Sequence, residues 1–289
     1  MRIIFTISAL YTLVAFLIYW DPTRMIWARF KADSPYIFEK INPVLKQQDP
    51  LALISITSPK IIREKRASLQ KLIWGKTKIP LTSYPSKIQK NFHLTPVHPE
   101  FRPQSEDKRS FVALFDAIEY YQEIPNIRGI DRLTSQNKDE WKAFSAIFYP
   151  KISTNRLVIY QNGFASTYHN QWRLIADMIE KGFTVIAHNF RWYGVNFGNF
   201  DLKQLDYPMR GFIDPIIISL NYALKYETFK SIDIIGLSAG AWITTLIAAI
   251  DQRISRSYPI SGVYPMYLRE GNEFPLPYVN GIIMEKINY

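Results

Sequence analysis

The chain has 289 residues, 47% of them hydrophobic and 15% aromatic, enough apolar material for a large buried core, which excludes a disordered chain. Its 35 Lys and Arg against 25 Asp and Glu leave a formal charge of +10. Such an excess fits nucleic acid, an anionic membrane surface or simple solubility, and the lack of any basic motif interleaved with aromatics argues against nucleic acid. With no cysteine in the chain, a disulfide framework, a thiolate nucleophile and a cysteine metal site are all excluded, while the compartment stays open.

Residues 3–20 form an uncharged run that includes Ile4, Phe5, Leu10, Val14, Leu17 and Ile18. A helix over that span rises about 27 Å, near the minimum for crossing a bilayer core. A cleaved signal peptide would end in small residues, whereas this run ends in Tyr19, Trp20, Asp21 and Pro22. The expectation is an uncleaved, single-pass N-terminal anchor with Tyr19, Trp20 and Trp27 as interfacial aromatics. Arg2 on one side opposes Arg24, Arg29 and Lys31 on the other, so the side of the membrane is left open.

Residues 21–128 are rich in proline and basic residues and read as a helical or irregular arm or cap. Its clearest helix begins at Ser58 as N-cap with Pro59 in the first turn. It sets Ile62, Leu69, Leu72 and Ile73 on one side before Trp74 and Gly75 close it, with the charges of Arg63, Glu64, Lys65 and Arg66 on a solvated face. A second helix is expected over 111–121, and no strand is expected anywhere in this region.

From 129 to 289 strands alternate with helices, the pattern of a mostly parallel sheet with helices on both faces. Strands are expected at 130–135, 142–149, 156–161, 183–187, 231–235 and 257–260. The apolar run Leu157, Val158, Ile159, Tyr160 suits a strand buried on both faces. Between strands, Trp172, Ile175, Ala176 and Ile179 recur at helical spacing with Gly182 as a capping glycine. Asp214 and Pro215 read as N-cap and first turn of a helix running to Tyr226, and a further helix ends near Ile250.

The chemistry lies in Gly236, Leu237, Ser238, Ala239 and Gly240, a G-x-S-x-G pattern between a buried strand and an amphipathic stretch. A strand that turns into a helix within about two residues strains the serine and crowds it with neighbouring chain, so Gly236 and Gly240 leave the needed room. Acyl transfer at a serine also needs amide donors for the oxyanion. Ala239 supplies one, and the loop Gln161, Asn162, Gly163, Phe164 after its strand supplies the other through the Phe164 N–H.

These stretches resemble the α/β-hydrolase superfamily, in particular bacterial esterase-like members, over about 129–270. The likeness rests on LVIYQNGF, FTVIAHNFRWYG, IDIIGLSAGAWITTLIAAIDQRI and ISGVYPMYLR. It implies an α/β-hydrolase sheet, Ser238 as nucleophile and the Phe164 and Ala239 amides as oxyanion donors.

The chain departs from that pattern downstream, where the fold's order is Ser, then Asp or Glu, then His. No histidine follows Ser238; the four are His93, His98, His169 and His188. Asp251 ends the elbow helix, a poor place for a triad acid. His169 follows the oxyanion loop and is weighed as a base, though its first role is to cap or line the helix of Trp172. His188 ends a strand where the superfamily usually carries an Asp. The two strands that normally present the acid and the histidine are not visible, so the core is expected to be incomplete at its C-terminal end. The expectation is a membrane-anchored serine hydrolase acting on a small-molecule or lipid-like ester through an acyl-Ser238 intermediate, with no metal, no cofactor and no nucleic acid. The alternative is a truncated or non-catalytic tethered binding or scaffold protein of the same fold.

Overall fold

The computed structural model describes residues 56–76, 78–93, 124–137, 141–163, 167–189, 207 and 209–262. The anchor expected at 3–20, the helix at 111–121 and the oxyanion donor Phe164 lie outside them. Among the described residues no helix is long and apolar enough to cross a membrane.

The first helix, α1, spans Pro59–Trp74. Its ends are those the sequence announces: the Ser58 hydroxyl accepts from the Ile61 N–H at 3.4 Å, and Gly75 closes it at φ 70. Its inner face is the expected one at its C-terminal end, where Leu69 packs on the core beside Ile73, and departs from it at the N-terminal end. Ile73 and Trp74 are buried, whereas Ile62 is 42% exposed. Arg66, expected in solvent, donates through Nε to the Ala249 carbonyl at 2.9 Å, beside a bond from Gln70 to the Ile250 carbonyl at 3.1 Å. The reason is that two free carbonyls at the end of another helix offer these long side chains better acceptors than water while their stems pack.

The sheet is built from β1 (Lys87–Gln89), β2 (Ile127–Asn137), β3 (Trp141–Pro150), β4 (Arg156–Gln161), β5 (Thr184–His188), β6 (Ser231–Leu237) and β7 (Arg256–Ile260), in the order β1-β2-β3-β5-β4-β6-β7. The first three strands and the β3–β5 pairing are antiparallel; from β5 through β4 and β6 to β7 the sheet is parallel. Strand β1 lies where no strand was expected, because three residues show no alternation to read.

Among the described residues three further helices follow: α2 (Trp172–Glu180), entered through a 3-10 turn at Tyr168–Gln171, α3 (Arg210–Tyr226) and α4 (Ala239–Ile250). Alternate strand residues feed two cores. Leu157, Ile159, Ile232 and Ile234 pack with Ile73, Ile213, Ile217, Ile243 and Ile247 from α1, α3 and α4. Val158, Tyr160, Val185 and Ala187 pack on the opposite side with Ile175 and Ile179 from α2. Burial on both sides explains why β4 reads as an unbroken apolar run. Helix α2 ends as expected at Gly182, φ 83, whose N–H donates to the Ile179 carbonyl while that of Phe183 reaches Met178.

Helix α3 corrects the expected start. It begins at Arg210 and carries Pro215 in its interior, so Asp214 is no N-cap. The Asp214 carboxylate is buried and accepts from Trp74 Nε1 at 2.7 Å and Arg210 Nε at 3.1 Å. Every residue from Gly211 to Ala223 is buried. Packing all round the helix outweighs the one backbone bond that proline removes.

Candidate active site

Ser238 stands between β6 and α4 with φ 54 and ψ −121, a conformation that favours glycine and is held only because its surroundings fix it. Its N–H donates to the Ile260 carbonyl at 2.8 Å and its carbonyl accepts from Ala241 at 2.9 Å. The residue is exposed, at the carboxyl end of a strand whose interior is buried. Ala239 opens α4, so its N–H has no acceptor within the helix and carries the positive end of the helix dipole.

Both flanking glycines are required by close approach. A Cβ on Gly236 would strike the Thr244 hydroxyl and the Gly240 carbonyl, and one on Gly240 would strike the Gln161 and Asn162 carbonyls. Gly240 thus seats α4 directly on the end of β4. A strained serine at a strand-to-helix turn, on a mixed sheet with helices on both faces, is the geometry of a nucleophile elbow. This is an α/β-hydrolase-like fold.

In the α/β-hydrolase-like domain the loop that leaves β4 abuts the elbow. A Cβ on Gly163 would lie 3.0 Å from the Leu237 carbonyl oxygen and 3.3 Å from Ser238 Cβ. The loop is rooted by buried groups: Asn162 N–H donates to the His188 carbonyl at 3.1 Å, the Tyr160 hydroxyl donates to Asn162 Oδ1 at 3.1 Å, and Gln161 Nε2 donates to the Asn162 carbonyl at 3.1 Å. Burial pushes the Tyr160 phenol above its ordinary range, so it stays a donor.

His188 sits apart from Ser238. His188 ends β5, in register with Gln161, which pairs in turn with Gly236. Two strand spacings therefore separate it from β6, about 10 Å. It is 2% exposed, and burial lowers its pKa to about 3. A neutral imidazole so hard to protonate is a poor general base. His169 belongs to the 3-10 turn that leads into α2. Asp251 caps the end of α4, where its buried carboxylate is clasped by Arg253 through Nε at 2.9 Å and a terminal nitrogen at 2.6 Å.

Two features escaped the sequence. Gly262 closes over the elbow, since a Cβ there would strike the Ser238 carbonyl. A small cavity at the carboxyl ends of β4 and β5, lined by Trp141 and His188 among others, joins residues far apart in the chain. No local motif signals either contact.

No family model and no curated protein matches this sequence. Among solved structures the chain is similar to an esterase of Pyrococcus furiosus, at 20% identity over 46% of this chain and 48% of that one, with TM-score 0.37. It is also similar to a probable hydrolytic enzyme of Pseudomonas aeruginosa PAO1, at 16% identity over 44% and 39%, with TM-score 0.32. A cold-adapted esterase from an Arctic intertidal metagenomic library is a third, at 18% identity over 44% and 55%, with TM-score 0.31. The match spans about half the length of these structures or less.

Proposed function

We propose that this chain is a serine hydrolase that cleaves carboxylic esters through an acyl intermediate on Ser238. The observation that carries the reading is the exposed serine at φ 54 and ψ −121, beside the first unpaired amide of α4. A base takes the proton from Ser238 Oγ as the oxygen attacks the ester carbonyl. The Ala239 and Phe164 amides hold the resulting oxyanion. The C–O bond to the alcohol then breaks, the alcohol leaves with the proton, and water releases the acid from the serine. His169 is the base to test first, since His188 is buried behind β4. In this reading residues 3–20 anchor the chain to a membrane and the substrate is a small-molecule or lipid-like ester.

A second reading, a non-catalytic tethered binding or scaffold protein on the same fold, is favoured by a His188 too deeply buried to serve as base. Hydrolysis of short p-nitrophenyl esters by the full chain separates the two. The hydrolase reading expects turnover that is lost in Ser238→Ala and falls at least about 100-fold in His169→Ala. No turnover by folded protein, or turnover that survives Ser238→Ala, overturns it.

A further inference from the structure

The carboxyl ends of β4 and β5 close over a cavity with apolar walls from Phe144, Phe212, Ile216 and Ile243. Ligands of open α/β sheets collect at this end of the strands. The cavity measures about 10 Å³, close to the least that holds one water. Its polar lining is Trp141, Lys142, Gln161, His188 and Asn189, and of these Trp141 and His188 are 5% and 2% exposed. Trp141 Nε1 and His188 Nε2 are both buried, and neither has a hydrogen-bond partner among the described residues.

Buried polar nitrogens normally find a partner, and two around one cavity call for a shared one. The indole can only donate, whereas a neutral imidazole offers one nitrogen as acceptor. A protein carbonyl would serve the first alone and a second N–H the second alone. A hydroxyl-type oxygen serves both, and the volume admits a single such atom. We propose that this cavity is the binding site of one water, which accepts from the Trp141 indole N–H and donates to His188 Nε2. His188 then carries its proton on Nδ1, and its burial discourages a second proton.

The position gives the water a task. The β3–β5 ladder ends at the pair Ser145 and His188, and Trp141 lies beyond it on β3. Water at this point ties the two strands together where their backbone bonds stop. The His188 carbonyl receives the Asn162 N–H at 3.1 Å, so the tie reaches the root of the loop that abuts Ser238.

The test is a crystal structure of the full chain at a resolution that shows ordered solvent, together with a double-mutant cycle. A solvent peak about 2.7–3.2 Å from both nitrogens is expected. A dry cavity, or either nitrogen bonded to a protein group, overturns the site. Trp141→Phe and His188→Leu each dismiss the same water, so the fall in melting temperature of the double variant is expected to be well below the sum of the two singles. Additive falls overturn the bridge. If either variant fails to fold, the wild-type protein still decides, through a nuclear Overhauser contact from a bound water to the Trp141 indole proton. Its absence counts against the site as directly as a dry cavity does.

Discussion

Replacing Ser238 by glycine is expected to stabilise the protein while removing the Ser238 hydroxyl. At φ 54 and ψ −121 the serine Cβ is held in a conformation open at no cost only to glycine. Such strain is worth about 1–3 kcal/mol, and glycine relieves it. Glycine also loosens the unfolded chain, which costs about 0.4–1 kcal/mol. The net gain is about 1 kcal/mol, or roughly 2–4 °C in melting temperature for a domain of this size. Ser238→Ala is the control, because it deletes the hydroxyl and keeps the Cβ, so its melting temperature should stay near wild type. Thermal unfolding followed by circular dichroism on the three proteins reads the difference. A Ser238→Gly variant no more stable than Ser238→Ala would show that the turn stores no strain and that the elbow argument is wrong.

Three further expectations follow from buried groups. Burial lowers the His188 pKa to about 3 from the ordinary 6.5, so between those values the unfolded chain binds a proton that the folded one refuses. Stability from this residue is therefore whole above pH 6.5 and falls with pH, by up to about 2 kcal/mol at pH 5. Urea unfolding at pH 7 and 5 should show that slope shrink in His188→Gln, and an unchanged slope would contradict it. Gly240→Ala drives a Cβ into the Gln161 and Asn162 carbonyls and should cost about 3 kcal/mol, read as a fall of at least about 6 °C. A fall under about 2 °C would refute the contact. Arg253→Ala strands the buried Asp251 carboxylate and should cost about 3 kcal/mol, with Arg253→Ala/Asp251→Ala recovering part of it. A double variant worse than the single would contradict this.

The parts legible in the sequence are those where one local signal has one physical cause. Strand β4 shows as a continuous apolar run because both its faces are buried, and the elbow shows because only glycine fits beside Ser238. The ends of α1 were readable from Ser58, Pro59 and Gly75 for the same reason. Where two causes share one signature the reading failed. Asp214 and Pro215 imitate a helix start, yet the carboxylate serves Trp74 and Arg210 while the proline is carried inside a buried helix. Arg66 looks like a surface charge until the carbonyl of Ala249 is brought to it by the fold. The cavity between Trp141 and His188 and the approach of Gly262 to Ser238 depend on contacts across the sheet, which no window along the chain contains.

The central claim is that Ser238 is a nucleophile, and covalent labelling tests it most directly. Full-length protein is incubated with a fluorophosphonate probe, digested, and read by mass spectrometry. The account predicts a phosphonylated peptide with the adduct on Ser238, growing with time and absent from Ser238→Ala, whose fold the thermal scan above verifies. A folded wild-type protein that takes up no probe, or an adduct that persists in Ser238→Ala, would contradict it.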